Sequence, residues 1–156
     1  MNKIIFRLIL LFIVIQFYSC SWTLGFYIIN STNDEIQIEI KLQDTLVGNF
    51  PIFDYHDGTI YSVDKKNKII YDKSEDIIYD TLSIFSNVIF KLPSKSAIQI
   101  GALQNDKYKS YDQYFINERV FNLEKITIKN SETVILKKDF DKYFKKDGNG
   151  ITYIVK

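Results

Sequence analysis

The chain has 156 residues, with 20 lysines and arginines against 19 aspartates and glutamates and a formal net charge of +1, a length that suits one domain with a respectable core. Such a balance lacks the strongly basic character expected of a nucleic-acid binder, so no nucleic-acid partner is expected. One cysteine and one histidine leave no internal disulfide and no side-chain set for a zinc site of the usual kind, and neither metal nor cofactor is expected.

The amino terminus carries Lys3 and Arg7, then an unbroken apolar run from Leu8 to Ile15, then Phe17-Tyr18-Ser19 before Cys20. These are the parts of a signal peptide. The run is short for a membrane-spanning helix, which needs about 20 apolar residues. Even when extended from Ile4 to Tyr18 it contains Arg7 and Gln16. The segment resembles the lipobox of bacterial lipoproteins, in which a small residue precedes a cysteine that receives a diacylglyceryl thioether before cleavage. It departs from that pattern at Phe17, where an aliphatic residue is usual, and at the bulky Tyr18.

The resemblance implies removal of residues 1–19, lipidation of Cys20 and a membrane partner held through it. An uncleaved signal anchor and an ordinary secretory signal are the alternatives. Ser21 stands where Asp would retain such a protein in the inner membrane, so the expected location is the cell envelope at the outer membrane. Cleavage would take the formal charge from +1 to −1 and leave residues 20–156 as a single domain.

Beyond Cys20 the residues favour strands, since Ile, Val, Thr, Tyr and Phe abound and β-branched and aromatic side chains suit a pleated surface. Thr23 to Ile29 is apolar throughout. Glu35 to Leu42 alternates, with Ile36, Ile38, Ile40 and Leu42 predicted to face inward. The polar stretch Asn30 to Asp34 between them predicts a hairpin. Further strands are expected at Thr59–Val63, Lys68–Tyr71, Ile77–Phe85, Val88–Leu92, Ala97–Leu103, Val120–Ile128, Thr133–Lys138 and Ile151–Val155.

Phe140, Tyr143 and Phe144 share one face of a helix predicted over Asp139–Lys146, capped by Asp139 and ended by Gly148 or Gly150. Short connections imply antiparallel pairing. The expected fold is therefore all-β with minor α, an antiparallel β-sandwich with one short helix near the carboxyl terminus; a closed barrel is the alternative. The opening strand pair and Phe90 to Ile98, a strand, proline turn and strand, resemble immunoglobulin-like sandwiches in general architecture, without their Cys, Trp, Cys arrangement. Trp22 is expected at the domain edge or the lipid interface.

Candidate chemistry is sparse. His56 lies in Asp54-Tyr55-His56-Asp57-Gly58, where carboxylates can orient an imidazole, but Asp57-Gly58 reads first as a turn. Asp147-Gly148-Asn149-Gly150 has oxygen ligands without EF-hand spacing, and a turn is the better reading. The carboxylates from Asp72 to Asp80 read as a solvated edge, and the sequon Asn30-Ser31-Thr32 as a turn. No glycine-rich phosphate loop, G-x-S-x-G elbow or H-E-x-x-H pair is present.

The candidate recognition surface is Asn105 to Glu118, where Tyr108, Tyr111, Tyr114 and Phe115 stand among polar residues and can stack on a sugar or anchor a protein. The competing reading packs Tyr111, Tyr114 and Phe115 into the core at i, i+3, i+4 spacing. The expected function is a lipid-anchored envelope binding or accessory protein without catalytic activity, its partner an envelope protein or glycan. An immunity or inhibitor lipoprotein that neutralises a toxin and an envelope hydrolase are the alternatives.

Overall fold

A computed structural model describes residues 21–44, 49–54, 59–76, 79–82 and 87–156. Cys20, His56 and most of the predicted strand over residues 77–85 therefore lie outside the described residues.

The strands are β1 (Thr23–Asn30), β2 (Ile36–Leu42), β3 (Phe50–Pro51), β4 (Thr59–Val63), β5 (Ile69–Asp76), β6 (Tyr79–Leu82), β7 (Asn87–Leu92) and β8 (Ser96–Gln104). They continue as β9 (Arg119–Val120), β10 (Leu123–Ile128), β11 (Thr133–Leu136), β12 (Lys145–Asp147) and β13 (Gly150–Val155). One short α-helix, α1 (Phe140–Tyr143), precedes β12. A six-stranded sheet runs β12-β13-β1-β8-β4-β5, a five-stranded sheet runs β11-β10-β2-β7-β6, and β3 pairs with β9. This is the expected all-β sandwich with minor α.

One apolar core joins the two sheets. Phe26 and Ile28 of β1, Ile98 and Ile100 of β8 and Ile151 of β13 meet Ile38, Phe90 and Ile126 of the other sheet. The alternation in β2 has the predicted consequence: Ile36, Ile38, Ile40 and Leu42 are buried while Gln37, Glu39 and Lys41 are not. By contrast β1 is covered on both faces from Gly25 to Asn30, which is why its sequence is apolar without alternation.

The second face of β1 meets a smaller core. Tyr27, Ile29, Ile69 and Ala97 cluster there with Tyr61, Val63 and Ile154 packed against them. The six-stranded sheet rolls around this cluster until its edges meet: Asn149, in the β12–β13 turn, accepts from Ile69 N at Oδ1 (3.1 Å) and donates from Nδ2 to Asn67 O (3.0 Å). The roll is part of the way to the barrel that the sequence left as the alternative.

The predicted hairpin between β1 and β2 is not formed. β1 pairs with β8 and β13, whereas β2 pairs with β7 and β10. Asn30–Asp34 therefore crosses between the sheets, and so does the Pro93 turn between β7 and β8. Both crossings lie at one end of the sandwich and are tied by Asn30, which is fully buried. Its Nδ2 faces Asp34 O, Leu92 O and Pro93 O at 2.8, 3.1 and 2.9 Å, while its Oδ1 accepts from Thr32 N and Oγ1. The sequon asparagine is thus a structural group with no room for a glycan.

In immunoglobulin domains of constant type the first two strands share a sheet, so the likeness here extends to the two-layer architecture and not to connectivity. Consecutive strands pair antiparallel wherever they pair at all. Among the described residues the two parallel pairs, β1 with β13 and β3 with β9, join strands far apart in the chain, where the crossover requirement is met.

The helical turn is shorter than predicted. Residues Lys137–Asp139 form a 3₁₀ turn, α1 follows, and Asp139 makes no side-chain cap. Lys145–Asp147 then pairs with β13, and Gly148-Asn149 make the hairpin turn that the sequence reserved for a helix end. Gly150 adopts φ +139°, and a Cβ there would stand 2.5 Å from Gly25 O. The predicted strand at Val120–Ile128 divides between the end of β9 and β10, that at Thr133–Lys138 shortens to β11, and that at Lys68–Tyr71 lengthens to β5.

The outer face of the five-stranded sheet is wet and laced with charge. Lys129 Nζ stands 2.6 Å from Glu39 Oε2, and Lys41 pairs with Glu124 at 2.7 Å. The Lys129 hydrogen bond holds the Glu39 carboxyl below its ordinary range, helped by Asn87 Nδ2 at 3.3 Å. A depressed carboxyl stabilises the fold above the unfolded carboxylate value of about 4.3, and that contribution is lost as pH falls through the folded-state value. Glu39→Gln is expected to cost about 1 kcal/mol or less at neutral pH. Denaturant titrations of parent and variant should converge in acid; a pH-independent difference would remove the ion pair as its cause.

Candidate functional site

The loop from Asn105 to Glu118 leaves β8 and returns as β9 at the end of the sandwich where β1 begins. It has no helix or strand of its own, so side chains supply most of its hydrogen bonds. Asp106 accepts from Lys107 N (2.7 Å) and Ile116 N (3.0 Å). Gln113 accepts from Ser110 N (3.1 Å) and donates to Lys107 O (2.9 Å). Asp141 of α1 accepts from Tyr108 Oη (2.5 Å) and Tyr111 N (3.2 Å). Asn117 and Glu118 both take left-handed φ values of +56° and +55°, an uncommon pair that the bonds on either side hold in place.

The four candidate aromatic residues divide. Phe115 is buried, and Tyr108 is half-buried with its ring 5.2 Å from Phe26 in an edge contact. Burial, reinforced by Asp141, pushes the Tyr108 hydroxyl well above the ordinary tyrosine range. Tyr111 is half-buried against Phe121. Tyr114 is 89 % exposed, contrary to the core packing that its spacing allowed. The loop is thus mainly a lid on the core that offers one aromatic side chain outward.

A second feature was invisible in the sequence. β8 changes partner along its length: Ser96 to Ile98 pair with β4, while Gly101 bridges to Phe53 and Ala102 N donates to Ile52 O (3.0 Å). Between the two partners lies a cleft of about 390 Å³ on the wall of the six-stranded sheet. Tyr61, Gln99, Gln104, Asp54 and Thr59 are among its lining residues. Gly101 is required beneath it, since a Cβ there would stand 2.5 Å from Ile52 O. Tyr27 Oη donates to Gln99 Oε1 (3.1 Å), so the second core orients this amide.

An aromatic ring with amide, hydroxyl and carboxylate groups around it suits a neutral, hydroxyl-rich ligand, by stacking and directed hydrogen bonds. Segment Phe50 to Asp54, which builds one side, was not expected as a strand. Its hydrophobic Ile52-Phe53 pair was the only signal available. Among the described residues no group of three or more His, Cys, Asp or Glu side chains is placed to hold a metal ion. Asp147 instead caps its own turn, accepting from Asn149 N (2.7 Å) and Thr152 Oγ1 (2.6 Å).

At the amino-terminal edge, Trp22 is exposed, as expected, and its backbone is held on both sides by Asn105, with Trp22 N to Asn105 Oδ1 at 3.0 Å and Asn105 N to Trp22 O at 2.9 Å. Comparison with known proteins matches no protein family, no curated protein and no solved structure.

Proposed function

We propose that this chain is a lipid-anchored cell-envelope module that binds a glycan or protein partner without transforming it. The observation that carries the binding reading is the cleft where β8 changes partner, with Tyr61, Gln99 and Gln104 in its wall. The anchor rests on the apolar run that ends at Cys20, and the fold begins only two residues later, at Trp22. The module would then stand at the membrane surface, and Ser21 in place of a retaining Asp favours the outer membrane.

Three measurements test this assignment. Cys20→Ala is expected to abolish labelling by a fatty-acid probe; equal labelling of variant and parent would remove the anchor. Capture of a partner from solubilised envelopes is expected to fall about tenfold, the equivalent of 1.4 kcal/mol, when Gln99 and Gln104 are both replaced by Ala. Unchanged capture by a folded double variant would overturn the cleft. Loss of a protein partner through Tyr114→Ala alone would favour the toxin-neutralising reading, since an exposed tyrosine is a common interface anchor. Turnover of an envelope substrate that His56→Ala abolishes would make the protein an enzyme.

A further inference from the structure

The large apolar side chains left exposed are not spread evenly. Among the described residues they are Trp22, Phe50, Tyr71, Tyr114, Ile116, Val134 and Leu136. Strand directions and the hydrogen bonds of the connecting loops place Trp22, Phe50, Tyr114, Ile116 and Leu136 at one end of the sandwich. That end holds the start of β1, the close of β8 and the close of β11, and both Trp22 and Leu136 belong to it.

Hydrogen bonds connect the others to it in sequence. Asn105 bonds Trp22, and Asp106 accepts from Ile116 N. Arg119 N donates to Ile116 O (3.3 Å), and Phe50 N donates to Glu118 O (3.1 Å). Tyr114 is two residues from Ile116, beside the buried Phe115. At the opposite end, Asn30–Asp34, Pro93–Ser96 and Lys129–Glu132 expose, among the described residues, none of these large apolar side chains.

The chain leaves through the apolar end. Only Ser21 separates Cys20 from Trp22, whose backbone is fastened to Asn105, and two residues span at most about 7 Å. Whatever holds residues 1–20 in a membrane therefore holds this end against it. Trp and Tyr are suited to that depth, because each has an apolar body and a polar tip.

We infer that this end, through Trp22, Phe50, Tyr114 and Ile116, is seated in the lipid–water interface, and that the occupant of the apolar patch is the bilayer surface. The inference rests on the proposed attachment through the amino terminus and adds to it a fixed orientation. Gln104, one residue from Asn105, belongs to the cleft, so docking holds the cleft beside the headgroups. Charges of both signs share the end, with Lys107, Lys109 and Arg119 near Asp112 and Glu118, so the contact depends on apolar burial and is insensitive to salt.

The test uses the full chain, expressed with its native amino terminus and reconstituted in vesicles of phosphatidylethanolamine and phosphatidylglycerol that contain a diazirine phospholipid. Flotation and the intact mass at Cys20 report attachment separately from orientation. Adducts are expected on peptides that contain Phe50 and Tyr114–Ile116 as well as Trp22, with none at Asn30–Asp34 or Pro93–Ser96. A chain that floats with adducts confined to residues 20–22, or on both ends alike, overturns the docking and leaves the attachment standing. A chain that does not float overturns both.

A floating but unacylated chain is held by its apolar run and must still give the same adduct pattern. The variant with Phe50, Tyr114 and Ile116 all replaced by Ser should still float. Trp22, the sole tryptophan, should then be quenched by brominated lipid about twofold less than in the parent. Undiminished quenching and adducts in a folded variant would show that these three side chains do not dock, and a cross-linked second copy or protein partner in place of lipid adducts would give the patch to that partner.

Discussion

Replacing Asn30 by Asp is expected to destabilise the domain by roughly 3–5 kcal/mol at neutral pH, although the two side chains have nearly the same shape. The Asn30 amide donates toward three carbonyl oxygens, from Asp34, Leu92 and Pro93, at a fully buried position. An ionised carboxylate has only acceptors and would face all three with no proton to offer. Burial and the carbonyl dipoles would raise the folded-state pKa of the new carboxyl. The variant's deficit would therefore shrink as pH falls through that raised value and the carboxyl gains a proton. Denaturant titration across acid and neutral pH reads both effects. A deficit below about 1 kcal/mol would mean that the two crossings hold without this tie.

Phe140→Ala is expected to cost roughly 3–5 kcal/mol, because the ring is fully buried and cannot be replaced by local collapse. Its centroid lies 4.9 Å from Phe121, 5.9 Å from Phe53, 6.0 Å from Phe26 and 4.1 Å from Phe144, with which it is stacked. A four-residue helix has no stability of its own, since nucleation is unfavourable at that length. The tertiary contacts of Phe140 hold α1, and α1 in turn holds Tyr108 through Asp141. The variant should therefore also lose protection of the Tyr111 amide, which donates to Asp141 Oδ2, in hydrogen exchange. Full stability with an unchanged exchange pattern would remove Phe140 as the centre of the aromatic cluster.

Spacing along the loop does not set the direction of its aromatic side chains. Tyr108, Tyr111, Tyr114 and Phe115 were recognisable as aromatics in a polar stretch, but their direction depends on which side chains satisfy the loop backbone. Asp106, Gln113 and Asp141 do so, and that arrangement turns Phe115 inward and Tyr114 outward. The cleft had no sequence signature, because Tyr61, Gln99 and Asp54 come together only where β8 exchanges β4 for Phe53.

Local pattern alone determined most of the longer strands, the predominance of antiparallel pairing and the inward face of β2, but not the short β3, β9 and β12. Side-chain direction in a strand repeats every two residues, and a half-buried strand must alternate. It also marked the extended, uninterrupted character of β1. Pairing was decided elsewhere. A polar turn such as Asn30–Asp34 looks alike whether it closes a hairpin or crosses between layers, and only burial of Asn30 beneath the β7–β8 connection distinguishes the two. The split of Asp139–Lys146 into α1 and β12 has the same origin. Helical spacing of Phe140, Tyr143 and Phe144 is satisfied by a single turn, and the open edge of β13 then captures Lys145–Asp147 because its backbone groups need partners.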